Sequence, residues 1–224
     1  MLKAVTKAEA AYQEIRWRIL TGTLPPDATM NQEELARELG VSATPLREAL
    51  RRLESEDLVH FVAHSTVRVS RLSLREFDEL YAIRFSLDPL AARLAAEMAT
   101  PSEIDTMLSL ASGRDPEGLS RDRFEINRAF HRAIYSASGN HELAALLERL
   151  WDRTERYRFI LVTTGADETA STHDHIHIAG IIAERDGDVA AQLLATHVKR
   201  SHDILADILA EDARFSGDSF TPLS

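Results

Sequence analysis

The sequence predicts a mainly α protein in two parts: an N-terminal helix–turn–helix completed by a β-hairpin, then a C-terminal all-α helical bundle. Three observations carry this. Residues 35–53 read as a helix, a Gly-containing turn and a second helix. Leu58-Val59-His60-Phe61-Val62 and Thr66-Val67-Arg68-Val69 are β-rich runs joined by Ala63-His64-Ser65. After residue 70 no strand pattern appears, and apolar residues recur at helical spacing between cap and stop signals.

Each element follows from local chemistry. Residues 7–21 place Ala8, Ala11, Tyr12, Ile15, Ile19 and Leu20 on one face, and Gly22 stops that helix. Leu24-Pro25-Pro26-Asp27 is a turn. Asn31 and Glu34 form an N-cap and N3 pair for the next helix. Leu35, Ala36 and Leu39 give it an apolar face, Gly40 ends it and Val41 plugs the turn. Ser42 or Thr44 caps the second helix of the pair, with Pro45 in its first turn. Leu46, Ala49, Leu50 and Leu53 then face inward and leave Arg47, Arg51 and Arg52 on other faces. In the bundle, Ser73 with Glu76 and Thr100-Pro101-Ser102-Glu103 are capping boxes. Helices are expected over about 74–98, with a bend near Pro89, then to Ser112, and over 119–138, 141–162, 169–185 and 188–211. The domains are therefore 1–72 and 73–214, with a tail over 215–224.

Composition bounds the chemistry. The 224 residues contain no cysteine, which excludes disulfides and thiolate metal sites. No signal peptide and no apolar run of membrane-spanning length is seen, so a cytoplasmic location with no membrane partner is expected. The net charge of −10 argues mildly against nucleic acid, but it is unevenly shared. Residues 1–70 hold nine Lys/Arg and ten Asp/Glu, a net of −1, and the remainder carries −9. DNA affinity in such a first domain has to come from the placement of individual arginines, and should be salt-sensitive.

Seven of the nine histidines lie in the bundle. Over 188–211 the inward stripe reads Leu193, Leu194, His197, Ser201, Ile204, Leu205 and Ile208. His175 shares a face with Ile178 and Ile182, and His131 lies one turn from Asn127. Three helices each aiming an imidazole into one core is the pattern of a metal site, and three separately hydrogen-bonded core histidines is the other reading. His173 and His177, four apart, form a second pair that cannot share a face with His175.

Residues 8–70 resemble the winged helix-turn-helix domain of GntR-type transcription regulators. The carrying residues are Gly22-x-Leu24-x-Pro26, Leu35-Ala36-x-x-Leu39-Gly40-Val41-Ser42-x-Thr44-Pro45-Leu46-Arg47-Glu48-Ala49-Leu50-x-x-Leu53 and Leu58-Val59. The resemblance implies contacts to operator DNA from Ser42, Thr44, Arg47 and Arg51, with the wing tip near His64 entering the minor groove. Two positions depart from the family pattern: Ala43 stands where Arg is usual, and Ser65 where the wing carries Gly. An arginine bidentate to a base contributes about 1–3 kcal/mol, so a changed operator or weaker binding follows.

Residues 77–210 are similar to the FCD ligand-binding domain of the FadR-type branch, through Asn127-x-x-Phe130-His131, Ser138-Gly139-Asn140, His175-x-x-Ile178, Asp186 and His197. The resemblance implies that Asn127, His131, His175 and His197 bind a divalent metal, zinc first, with nickel or manganese as the other candidates. Asn127 is a neutral ligand where Asp is common. His173 and His177 become bystanders. Arg84, in Leu80-Tyr81-Ala-Ile-Arg84-x-x-Leu87-x-Pro89, matches a position facing the same site. It reads either as an ion-paired inner arginine or as a clamp for a carboxylate effector. The whole implies a homodimeric, metabolite-responsive regulator, a repressor of a palindromic operator, whose DNA affinity a small organic acid adjusts. The rivals are a metal-responsive regulator with no organic effector and a metal-dependent α-bundle enzyme; the bundle lacks a His-Glu-x-x-His segment, which weighs against the enzyme.

Overall fold

The computed structural model describes residues 6–63, 65–113, 123–164 and 168–211. The chain divides into two compact units, Met1–Ser73 and Leu74–Ser224.

In the first unit, α1 (Lys7–Leu20) is capped by the Thr6 hydroxyl, which accepts from the Glu9 amide at 3.0 Å. A short strand β1 (Thr29–Asn31) leads into α2 (Gln32–Glu38), whose first free amides, Glu33 and Glu34, donate to the Asn31 side chain at 2.9 and 3.2 Å. Gly40 turns the chain at φ +65°, where a side chain would be strained, and α3 (Ala43–Ser55) follows. Strands β2 (Val59–Ala63) and β3 (Thr66–Val69) form the expected hairpin, with Phe61 opposite Val67.

The strand β1 was not expected. It pairs antiparallel with β3, Met30 opposite Val67, and gives a three-stranded sheet of order β1-β3-β2. Three residues hold too little periodicity to announce a strand, and only the partner edge of β3 makes one. The core beneath it joins Ile15, Leu46, Leu50, Leu53, Val59 and Val67, all essentially inaccessible to solvent. Across it, Arg52 lies over the Tyr12 ring at 3.6 Å and bonds Glu9 at 2.7 Å. The Tyr12 hydroxyl donates to Glu56 at 2.8 Å. Burial, with Glu56 alongside, pushes the Tyr12 phenol up to about 12.

Among its described residues, the regular elements of the second unit are all helices. Helix α4 (Leu74–Met98) continues through Pro89 and packs chiefly along α9 (Gly187–Glu211). Between them in sequence come α5 (Pro101–Ala111), α6 (Arg123–Ala137), α7 (His141–Thr164) and α8 (Glu168–Ala183). The Thr100–Glu103 capping box is formed in both directions, and the Asn140 side chain accepts from the Leu143 amide at 3.0 Å at the start of α7. The expected start of α6 near 119 lies outside the described residues.

The buried face of α9 is rotated from the expected stripe. Leu194, His197, Val198, Ser201, His202, Leu205 and Leu209 are buried, while Leu193, Ile204 and Ile208 are only half-buried. Contact with α4 on one flank and α8 on the other sets that rotation. It brings in His202, which bonds Asp78 at 2.8 Å and stacks on Phe77 at 5.0 Å between ring centres.

Candidate functional site

Two groups of residues carry chemistry, one in each unit. In the first, Ser42 sits at the N-cap of α3, but its hydroxyl makes no capping hydrogen bond, contrary to the expectation that it or Thr44 would cap. Ser42, Ala43, Thr44 and Arg47 are exposed together at the start of this helix. Arg47 makes no ion pair among the described residues. Arg51 is differently placed: it bonds Glu54 at 2.8 Å and its guanidinium lies 4.5 Å from the centre of the Phe61 ring. Its side chain is still 70% exposed, so it is steadied rather than removed from the face. Gln32, Arg37, Ala43, Arg47 and Ser65 line a cleft of about 390 Å³ between α2, α3 and the start of β3. Ala43 and Ser65, the two departures from the family pattern, both border it. His64 lies outside the described residues.

The second group is built by α6, α8 and α9. Each contributes one imidazole from its buried face: His131, His175 and His197, at 0, 6 and 1% exposure. One nitrogen of each lies within 4.8 Å of the others, so the three can share one ion. His175 Nε2 stands 3.3 Å from His197 Nε2. Phe130 stacks on His175 with ring centres 4.2 Å apart, and Trp151 lies 5.1 Å from His131. Both ring nitrogens of His131 are buried with no hydrogen-bond partner, as is Asn127 Oδ1. Such orphaned groups are costly in a finished core, so separately bonded core histidines do not describe His131. Three neutral imidazoles with nitrogens this close fit a divalent transition metal.

Electrostatics agree. Burial, reinforced by the neighbouring imidazoles and by the charges of Arg158 and Arg84, pushes His131 well below the ordinary histidine range. Burial, His197 and Arg158 do the same to His175. His197 is lowered chiefly by burial, against the opposing pull of Asp174. All three are held neutral, the form that ligates.

Asp174 was not singled out from the sequence. Its Oδ2 is 3.2 Å from His197 Nδ1 and 2.5 Å from Arg200. These contacts hold the carboxyl far below its ordinary range. An Nδ1–H donated to Asp174 leaves the lone pair of His197 on Nε2, the nitrogen facing His175. Aspartate beside the motif histidine was the available signal. His173 and His177 are exposed, as expected of bystanders.

Arg84 is fully buried and ion-paired: Nε donates to Asp88 at 3.0 Å, and Nη2 reaches the other oxygen at 3.4 Å. Tyr135 donates to the same carboxylate, and Trp151 Nε1 donates to the Tyr135 hydroxyl at 2.8 Å. The nearer of the two readings of Arg84 is thus the inner ion pair, with Nη1 left without a partner.

A helix–turn–helix with a β-hairpin, joined in one chain to an α-bundle that gathers three histidines, defines a DNA-binding transcriptional regulator. Residues 7–76 match the gntR family of bacterial regulatory proteins and residues 79–200 match the FCD domain. The chain belongs to the gntR family, with an FCD domain as its second half. It is 30% identical over 186 residues to the Nta operon transcriptional regulator of Aminobacter aminovorans, covering 82% of this chain and 87% of that one. It is 28% identical over 210 residues to the transcriptional repressor GlaR of Escherichia coli (strain K12), covering 89% and 96%. The solved structure of E. coli McbR/YncC superposes with a TM-score of 0.73 at 25% identity, over 92% of this chain and 99% of that one. These relatives are regulators of transcription, not enzymes, which removes the α-bundle enzyme. Among the described residues no helix is long and apolar enough to cross a membrane.

Proposed function

We propose that this chain is a cytoplasmic, homodimeric repressor whose affinity for a palindromic operator is set by a small organic acid bound at a metal site in the bundle. The observation that carries the reading is the buried His131–His175–His197 cluster with its orphaned His131 nitrogens and Asn127 oxygen. Asn127, His131, His175 and His197 would hold the metal, zinc first. The ion supplies a Lewis-acidic position for an anionic ligand. Ser42, Thr44 and Arg47 would meet base edges and phosphates as the start of α3 enters the major groove, with Arg51 beside them and the wing at His64 on the minor groove.

Repression is supported by the kinship with GlaR, a repressor. Dimerisation is supported by α4, where Ile83 and Leu90 are exposed and Leu87 and Leu94 half-buried along one stripe. A dimer places two copies of α3 on two half-sites. The acid acts by favouring one of two conformational populations.

The test uses DNA selected from a random pool by the zinc-loaded chain. Gel-shift titration with zinc alone, and with zinc plus small carboxylates, should show a carboxylate-dependent change in operator affinity that His131→Ala abolishes. A response to zinc alone, unaffected by any acid, selects the metal-only regulator instead.

A further inference from the structure

Two buried guanidinium groups lie over Trp151 beside the histidine cluster, and they are not equivalent. Arg84 has a carboxylate of its own in Asp88. Arg158, on α7, does not. It is 2% exposed, its Nη1 donates to the Tyr81 hydroxyl at 3.3 Å, and it lies over the Trp151 ring at 4.3 Å from the centre. Its Nε is buried with no hydrogen-bond partner. No carboxylate pairs with it among the described residues.

Arginine stays charged in any protein environment. A buried charge without a counter-ion costs several kcal/mol, and a phenol and an indole face offset only part of that. The surrounding metal-binding groups bring no negative charge, because three histidines and an asparagine are all neutral. Holding an ion there would add two more positive charges. Asp174 behind the cluster is already bound to His197 and Arg200, and Glu155, one turn before Arg158 on α7, is bound to Arg128 at 3.0 Å.

We propose that Arg158 is the anion receptor of the histidine site: a carboxylate of the bound organic acid pairs with the Arg158 guanidinium beside the Tyr81 hydroxyl, while Arg84 is committed to Asp88 as scaffold. Arg158 lies over one ring, Trp151, whose centre is 5.1 Å from that of His131, which puts the receptor beside the cluster. The inference rests on the effector reading above. It moves the effector contact from the sequence-matched Arg84 to a residue that no motif marked. Charge balance also favours acids with more than one carboxylate, because a single carboxylate leaves a net positive site.

The test is melting and calorimetry on the full, zinc-loaded chain in anion-poor buffer, with acetate, succinate and citrate as probes. Wild-type Tm should rise with succinate or citrate more than with acetate. Arg158→Met should fold with no loss of Tm in the absence of probe, because it removes an unpaired buried charge. Its affinity for the multivalent acids should fall roughly ten- to hundred-fold, the range of a lost charge-assisted bond. Arg158→Lys, keeping the charge without the planar fork, should fall in between. Arg84→Met should instead lower Tm with or without probe, since it strands Asp88. The inference is overturned if Arg158→Met binds the acids as wild type does, or if it loses stability without them, or if wild type responds to none of the three. Operator titration separates the two levels. Acid binding that needs Arg158 and leaves DNA affinity unchanged refutes the effector reading alone. Acid-dependent release that persists in Arg158→Met refutes the Arg158 assignment alone.

Discussion

Acid should unfold the metal-free protein earlier than its carboxylates alone would dictate. His131, His175 and His197 are all but inaccessible, and burial is the first cause holding each below the ordinary histidine value of about 6.5. The sign follows from linkage. A base whose folded pKa is depressed contributes its full stability above the unfolded pKa, and that contribution is lost as the pH falls through it. The unfolded chain takes up three protons near 6.5 that the folded one refuses. Each is worth about 1.4 kcal/mol per pH unit. Between about pH 7.5 and 5.5 the three together should lower stability by about 3 to 4 kcal/mol, His197 giving least because Asp174 partly compensates. Urea unfolding of chelator-treated protein at the two pH values measures this. His131→Leu should shrink the pH difference by about 1 kcal/mol, since one refused proton is gone, and the paired comparison cancels every other titration. A stability that is flat across the window, or a His131→Leu difference equal to that of wild type, would refute the reasoning.

Four further outcomes follow from the same contacts. Asp174→Asn should weaken zinc binding about 10- to 100-fold by freeing the His197 ring to rotate, measured by competition with a chromophoric chelator; the melting point without metal should change little. Zinc at about a hundred times its Kd should stabilise the chain by about 2.7 kcal/mol, a gain that chelator reverses and that His197→Ala removes. Arg47→Ala should weaken operator binding and reduce the salt slope by about one unit if it meets a phosphate, whereas Arg52→Ala should act on stability, because Arg52 is bound to Glu9 and Tyr12 inside the unit. Leu50→Ala, at a fully buried position of α3, should cost about 2–5 kcal/mol in thermal or urea unfolding.

The Asp88 carboxylate shows how the second unit handles buried charge. It receives Arg84 and Tyr135 together, and Tyr135 in turn receives Trp151. One carboxylate thereby satisfies α4, α6 and α7 at once. Burial and the adjacent Asp88 hold the Tyr135 phenol well above its ordinary range, so it stays protonated, donating to Asp88 while it accepts from Trp151. Such a fully connected cluster can carry a charge through a core at little net cost. Arg158, with no comparable partner, stands out against it.

Much of this protein is determined by local sequence. Helix limits came from caps and stops that act over four residues: Asn31 on the Glu33 and Glu34 amides, Thr100 with Glu103, and Gly40 at positive φ. Helical spacing also marked His131, His175 and His197 as inward, because a side chain's face is set by its own helix. What spacing could not reach is anything that depends on a second element. The strand β1 exists only because β3 offers it an edge. The rotation of α9, and with it the burial of His202 against Asp78, is set by α4 and α8. The tie from Asp174 to His197 and Arg200 joins two helices. The contrast between Arg84 and Arg158 is of the same kind. Both are arginines on amphipathic helices, and only the packed bundle gives one of them a carboxylate and leaves the other without. Charge compensation is a property of neighbours in space, so the tertiary structure alone decides it.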